Sequence, residues 1–137
     1  NKYPITGKLD VHDYMSWADT ERDTSAWLGN PLQDSTVKEL YNMEKYVKQS
    51  KNKQLLQDWR KLTTSDHFYY MCTKWFNDGD VHKYFNPYES PYEGFISYMN
   101  VLNDVSSRTK ATMQRSNLTK DLKTQIATET PSSVLKR

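Results

Sequence analysis

Apolar side chains recur in this chain at three- and four-residue steps, within segments bounded by proline, glycine and capping residues. That spacing confines the fold to packed amphipathic helices. Val37, Leu40, Tyr41, Met43 and Val47 form one such face, on a helix that Asp34 or Ser35 can cap and that runs to about Gln49. A longer helix is expected from about Asn52 to Cys72, where Leu55, Trp59, Leu62, Asp66 and Tyr69 trace one stripe flanked by Leu56, Thr63, His67 and Tyr70. Ser90, Pro91 and Glu93 spell a helix start, with a cap, a first-turn proline and a capping-box glutamate. Phe95, Ile96, Met99, Leu102 and Val105 carry that helix almost to Arg108.

The remaining segments are weaker. Asp19 to Leu28 reads as a short helix with Trp27-Leu28 as its buried end, stopped by Gly29 and Pro31. Residues 1–18 show no helical period and read as an extended arm lying on the domain. Leu118, Leu122 and Ile126 sit four apart in a polar run, a marginal amphipathic helix, and Thr128 to Arg137 reads as loose. The expected fold is therefore all-α: an irregular bundle of about four helices, with an extended N-terminal arm and a polar C-terminal tail. With 137 residues there is room for one domain, placed at 1–110 and followed by a tail at 111–137.

Charge and aromatic content divide at the same place. All 18 aromatic residues lie between Tyr3 and Tyr98. From Arg108 onward there are 7 Lys/Arg and 2 Asp/Glu, a net +5, which leaves residues 1–107 at −3. The body thus offers no basic face for nucleic acid. No apolar run approaches the roughly 20 residues of a membrane span, so neither a nucleic acid nor a membrane is an expected partner. A single cysteine, Cys72, excludes an internal disulfide framework and fits a reducing, cytoplasmic setting. The chain begins with Asn1, so it is expected to be processed or cut from something longer.

Few residue patterns support chemistry within this chain. Ser65-Asp66-His67 are consecutive on a helix, where neighbours point about 100° apart, so they cannot form a hydrogen-bonded relay. Asp78, Asp80, His82 and Glu89 fall at calcium-loop positions, but Lys83 stands where the sharp turn requires glycine. An ordinary turn is expected there. His12, His67 and His82 share no metal-ligand spacing, so no metal or cofactor is expected. Asn117-Leu118-Thr119 is a glycosylation sequon by pattern alone. Ten aromatic residues from Trp59 to Tyr92, with His67 among them, are the strongest clue. Helix positions 67 to 70 point in several directions, so some of these rings must lie outside the core and offer a face to a sugar or a partner.

At these residues the chain resembles the C-terminal part of α-amylase-type glycoside hydrolases of family 57. The likeness rests on Asp19-Thr-Glu-Arg-Asp-Thr-Ser-Ala-Trp-Leu-Gly-Asn30, on Thr64-Ser-Asp-His-Phe-Tyr-Tyr-Met-Cys-Thr-Lys-Trp-Phe76 and on Asp78-Gly-Asp-Val-His-Lys-Tyr-Phe-Asn-Pro-Tyr-Glu-Ser-Pro-Tyr92. It spans roughly residues 14 to 105. The resemblance implies a helical domain packed on an incomplete β/α barrel, which would carry the catalytic Glu and Asp of a retaining mechanism. Neither barrel motif is present in this chain, which is too short to hold a barrel of about 200 residues or more. Within such an enzyme Ser65-Asp66-His67 would form part of the cleft rim, with Asp66, His67 and Tyr70 binding substrate and Arg22 and Trp27 in structural roles, tying the first segment to the bundle. The histidine at position 67 leans toward an α-amylase sub-type.

The resemblance further implies an α-glucan or maltooligosaccharide as the partner of the parent enzyme, no cofactor, and no catalytic residue in this chain. The alternative is a stand-alone helical module binding a protein or a glucan. A docking face uncovered by the absence of the barrel would be apolar and prone to self-association, so homo-oligomers are expected through it.

Overall fold

The computed structural model describes residues 7, 8, 10–18, 20–74 and 81–129, without the side chains of 81, 82 and 126–129. The expected turn at 77–80, with its calcium-loop pattern, and the stretch 130–137 lie outside the described residues. The architecture is all-α, as expected, with no strand among the described residues. The helices are α1 (Ser25–Leu28), α2 (Pro31–Gln49), α3 (Lys53–Leu62), α4 (Ser65–Tyr69), α5 (Val81–Tyr84) and α6 (Pro91–Glu129).

Capping side chains fix most of the boundaries. Asn30 caps α2, its Oδ1 accepting from the amides of Leu32 and Gln33, while Pro31 occupies the first helical position. The expected caps Asp34 and Ser35 instead lie inside α2, because Asn30 starts the helix one turn earlier. Asn52 caps α3 through the amides of Gln54 and Leu55. Ser90 Oγ accepts from the Glu93 amide at 3.2 Å, and the Glu93 carboxylate reaches back to the Glu89 amide at 3.0 Å. This is a capping box displaced by one residue.

Three expected elements are redrawn. The first helix is only four residues long, and Leu28 at its end is 50% exposed rather than buried. The single helix expected over 52–72 is broken at Thr63-Thr64, where Thr64 turns extended (ψ 129°) and starts α4. Two adjacent β-branched residues weaken a helix at that point, and Thr63 Oγ1 donates back to the Arg60 carbonyl at 2.7 Å. In the opposite sense, the helix expected to fade near Arg108 continues unbroken, giving α6 its 39 residues.

The core lies where α2, α3 and α4 pack on the first half of α6. Leu40 and Val47 meet Leu55, Trp59 and Leu62, then Phe68, Met71, Tyr98, Leu102 and Val105. Trp59 donates its indole N–H to the Leu40 carbonyl at 2.9 Å. Two buried polar residues, Gln33 and Thr36, line the α2 face beside the apolar ones. The described residues from Gly7 to Thr24 form no helix, and Val11, Tyr14, Met15 and Trp17 in this arm are exposed. Arg22 lies over the Trp17 ring at 5.1 Å and takes a left-handed φ of 59°, so it folds the arm on itself rather than tying it to the bundle. Trp27 does pack on the bundle, 5.7 Å from the Tyr69 ring. No described helix is long and apolar enough to cross a membrane.

Candidate functional site

A groove of about 410 Å³ runs between α3, α4 and one face of α6. Gly94, Tyr98, Val101, Val105 and Arg108 supply the α6 side, and Asp58, Lys61 and Leu62 supply the α3 side. Those α6 positions recur every three to four residues and span about 21 Å along the axis. The groove is therefore elongated, and its two ends differ.

One end is aromatic. His67, within α4, and Tyr70, just after its last residue, enter it together with Tyr88 and Tyr98. Their rings meet mostly edge to face: His67 on Tyr98 at 5.6 Å, His67 on Tyr70 at 6.5 Å, and Tyr70 on Tyr88 at 6.0 Å. The Tyr98 hydroxyl donates to the Leu62 carbonyl at 2.9 Å. Burial holds this phenol above its ordinary pKa, so it stays a neutral donor.

The Tyr88 wall is held by two small devices. Asn86 donates its Nδ2 to the Tyr70 carbonyl at 3.0 Å and accepts the Tyr88 amide on Oδ1 at 3.0 Å. Gly94 lets α6 come close, since a Cβ there would sit 3.3 Å from both the Tyr70 oxygen and Tyr88 Cδ2.

The other end is charged. Arg108 donates to Asp58 at 2.9 Å and to Asp104 at 2.8 Å. Asp58 also accepts from the Gln54 amide at 2.8 Å. That hydrogen bond, followed by the one from Arg108, lowers the Asp58 pKa below its ordinary value. Asp58 is thus held as an anion that accepts hydrogen bonds, and it is not set up to give a proton.

Of the three residues expected to bind substrate, His67 and Tyr70 come together in this groove, and Asp66 does not line it. Asp66 is exposed rather than buried in a stripe. The break at Thr63-Thr64 accounts for this, because it resets the helical phase between Leu62 and Asp66. Tyr88, Tyr98, Asn86 and Gly94 were not singled out as site residues by the sequence. Tyr98 falls outside the stripe traced by Phe95, Ile96, Met99, Leu102 and Val105, and the Asn86-Pro87-Tyr88 run reads as an aromatic loop whose direction only the folded contacts reveal.

Among the described residues no group of three or more His, Cys, Asp or Glu could hold a metal ion. Cys72 is a buried thiol. A smaller hollow of about 300 Å³ lies between α2 and α6, bordered by Met43, Tyr46, Thr109 and Met113. It carries none of the candidate residues.

This chain is similar to the protein of Methanocaldococcus jannaschii named "Putative alpha-amylase", with 35% identity over 125 residues. The alignment covers 84% of this chain and 27% of that relative, so the chain spans little more than a quarter of its length. No family model matches this chain. No solved structure matches it either.

Proposed function

We propose that this chain is the helical C-terminal region of a retaining α-glucan hydrolase of the family 57, α-amylase type. In that setting it completes the substrate cleft and stabilises a catalytic barrel that this chain does not contain. The observation that carries the reading is the partial-length likeness, 84% of this chain against 27% of a relative bearing an amylase name.

The groove suits a supporting part rather than a catalytic one. Retaining hydrolysis needs two carboxyl groups about 5 Å apart on either side of the scissile bond, one of them protonated. The carboxylate lining this groove, Asp58, is fixed by Arg108 and Gln54. What the aromatic end offers is stacking surface. Pyranose rings present apolar C–H faces, and His67, Tyr70 and Tyr88 present rings at centroid spacings of 6.5 and 6.0 Å. Asp66, exposed beside them, would bond to sugar hydroxyls or to the barrel across the interface. The single buried Cys72 suits a reducing cytoplasm.

Two measurements on the chain test this. Incubation with starch or maltooligosaccharides is expected to release no reducing sugar; turnover that survives purification and disappears in Asp66→Ala overturns the reading. Titration with maltooligosaccharides, followed by intrinsic fluorescence, is expected not to saturate, because only one wall of the cleft is present. Saturable quenching abolished by Tyr70→Ala would instead identify a stand-alone glucan-binding module.

A further inference from the structure

Thr109 is the last buried residue among the described side chains of α6, yet the helix runs on to Glu129 with the side chains from Gln114 to Gln125 all exposed. Continuous with the packed half of α6, this extension buries nothing within its own copy and leaves an exposed helical surface on which a partner can pack. Its sequence describes one. Val101, Asp104, Arg108, Ala111, Arg115 and Leu118 follow one another at alternating three- and four-residue steps, and Leu122 extends the series. This is the spacing of a coiled-coil seam. It lies on exposed surface: Val101 is 50%, Leu118 62% and Leu122 56% exposed.

We propose that this seam pairs with the same seam of a second copy of the chain, antiparallel, about a two-fold axis between Arg108 and Ala111. The order of residues is self-complementary in that arrangement. Val101 of one copy faces Leu118 of the other, and Asp104 faces Arg115. Arg108 faces Ala111, whose small side chain leaves room for the guanidinium that Asp58 and Asp104 already hold. Each contact occurs twice by symmetry, as an isologous interface requires. Asp104 retains capacity for a second cation, since its side chain is 61% exposed while it accepts from Arg108.

Long-range charge favours the same partner. The −3 carried by residues 1–107 of one copy attracts the +5 carried by residues 108–137 of another. Because Val101 and Arg108 also line the groove, the partner's Leu118 and Ala111 would close its charged end. In the same register the partner's Leu122 falls opposite Ser97, so the partner helix also runs over the aromatic end. This pairing does not rest on the reading of the chain as an amylase part.

Sedimentation equilibrium and disulfide trapping on the full 137-residue chain test it. The chain is expected to show a reversible monomer–dimer equilibrium. Asp104→Arg and Arg115→Asp should each weaken the dimer at least tenfold, and the double exchange should recover most of the loss. Leu118→Asp should be monomeric with its helical circular dichroism largely kept. The pair Val101→Cys and Leu118→Cys in one chain should oxidise to a doubly linked dimer, whereas Asn103→Cys, on another side of α6, should not; Cys72 is buried and does not interfere. A chain that stays monomeric at all concentrations overturns the proposal. So does a dimer that Arg115→Asp and Leu118→Asp leave unchanged.

Discussion

Gln33 is wholly buried, yet its amide is fully used. Nε2 donates to the carbonyls of Ala26 (2.8 Å) and Phe68 (2.9 Å), and Oε1 accepts the Gly29 amide at 2.8 Å. One side chain thus joins α1, α2 and α4, with Asn30 beside it donating to the Met71 carbonyl at 2.9 Å. Gln33→Leu keeps the bulk but removes the donor from the buried Ala26 carbonyl, one of two donors from the Phe68 carbonyl and the acceptor from the Gly29 amide. It should cost about 3 kcal/mol, within the range for orphaned buried groups, read as a lower urea midpoint at unchanged slope. Lys51 gives the opposite sign. It follows the α2 cap Ser50 with a left-handed φ of 54°, a conformation glycine takes without strain. Lys51→Gly should therefore stabilise by about 1 kcal/mol, measured by the same urea unfolding. Neither residue is legible as special in the sequence. A glutamine on a helix reads as surface, and a lysine gives no sign of its φ, because both roles depend on carbonyls and helix ends brought together by the fold.

At the scale of elements, sequence spacing identified the helical segments and their faces but not their breaks. Leu40 and Val47, Leu55, Trp59 and Leu62, and Leu102 and Val105 were readable as buried faces, and all are in the core. The start of α6 was equally readable, since Ser90, Pro91 and Glu93 act locally. The split of α3 from α4 was not, because Thr63-Thr64 is tolerable within a helix and breaks only where Leu62 and Phe68 must both reach the core. That split decides the site: it sends Asp66 to solvent while leaving His67 and Tyr70 in the groove.

The link from α3 to α6 through Asp58 and Arg108 carries a pH signature. The hydrogen bonds from Gln54 and Arg108 hold the folded-state pKa of Asp58 below its ordinary 3.8. A carboxylate lowered in the folded state adds stability above its unfolded pKa, and that stability is lost as pH falls through the folded one. The wild-type chain should thus be more stable than Asp58→Asn near neutrality, and the gap should close below about pH 4. A gap that stays constant from neutral pH to the acid limit would remove the ion pair from this account.

For the whole molecule, α6 is both a spine for the bundle and a lever reaching beyond it. Its first half contributes Tyr98, Leu102 and Val105 to the core, and its described side chains beyond Met113 contribute nothing buried. The sequence marked this division through charge and aromatic content, but it read the second half as a marginal tail because Leu118, Leu122 and Ile126 are its few large apolar residues there. Helix continuity supplies what propensity alone does not: once α6 is nucleated against α2 and α3, extension costs little per residue. It follows that a chain ending at Met113 keeps its whole core. In dilute solution, where copies are apart, it should unfold within about 0.5 kcal/mol of the full chain, as exposed surface changes usually do. Pairing through the seam adds stability only to the folded full chain, and adds more as concentration rises. Thermal unfolding of the two chains should therefore coincide at low concentration and diverge at high concentration, with only the full chain shifting upward. A difference that is large at low concentration and independent of it would mean that residues 114–137 stabilise the bundle of their own copy.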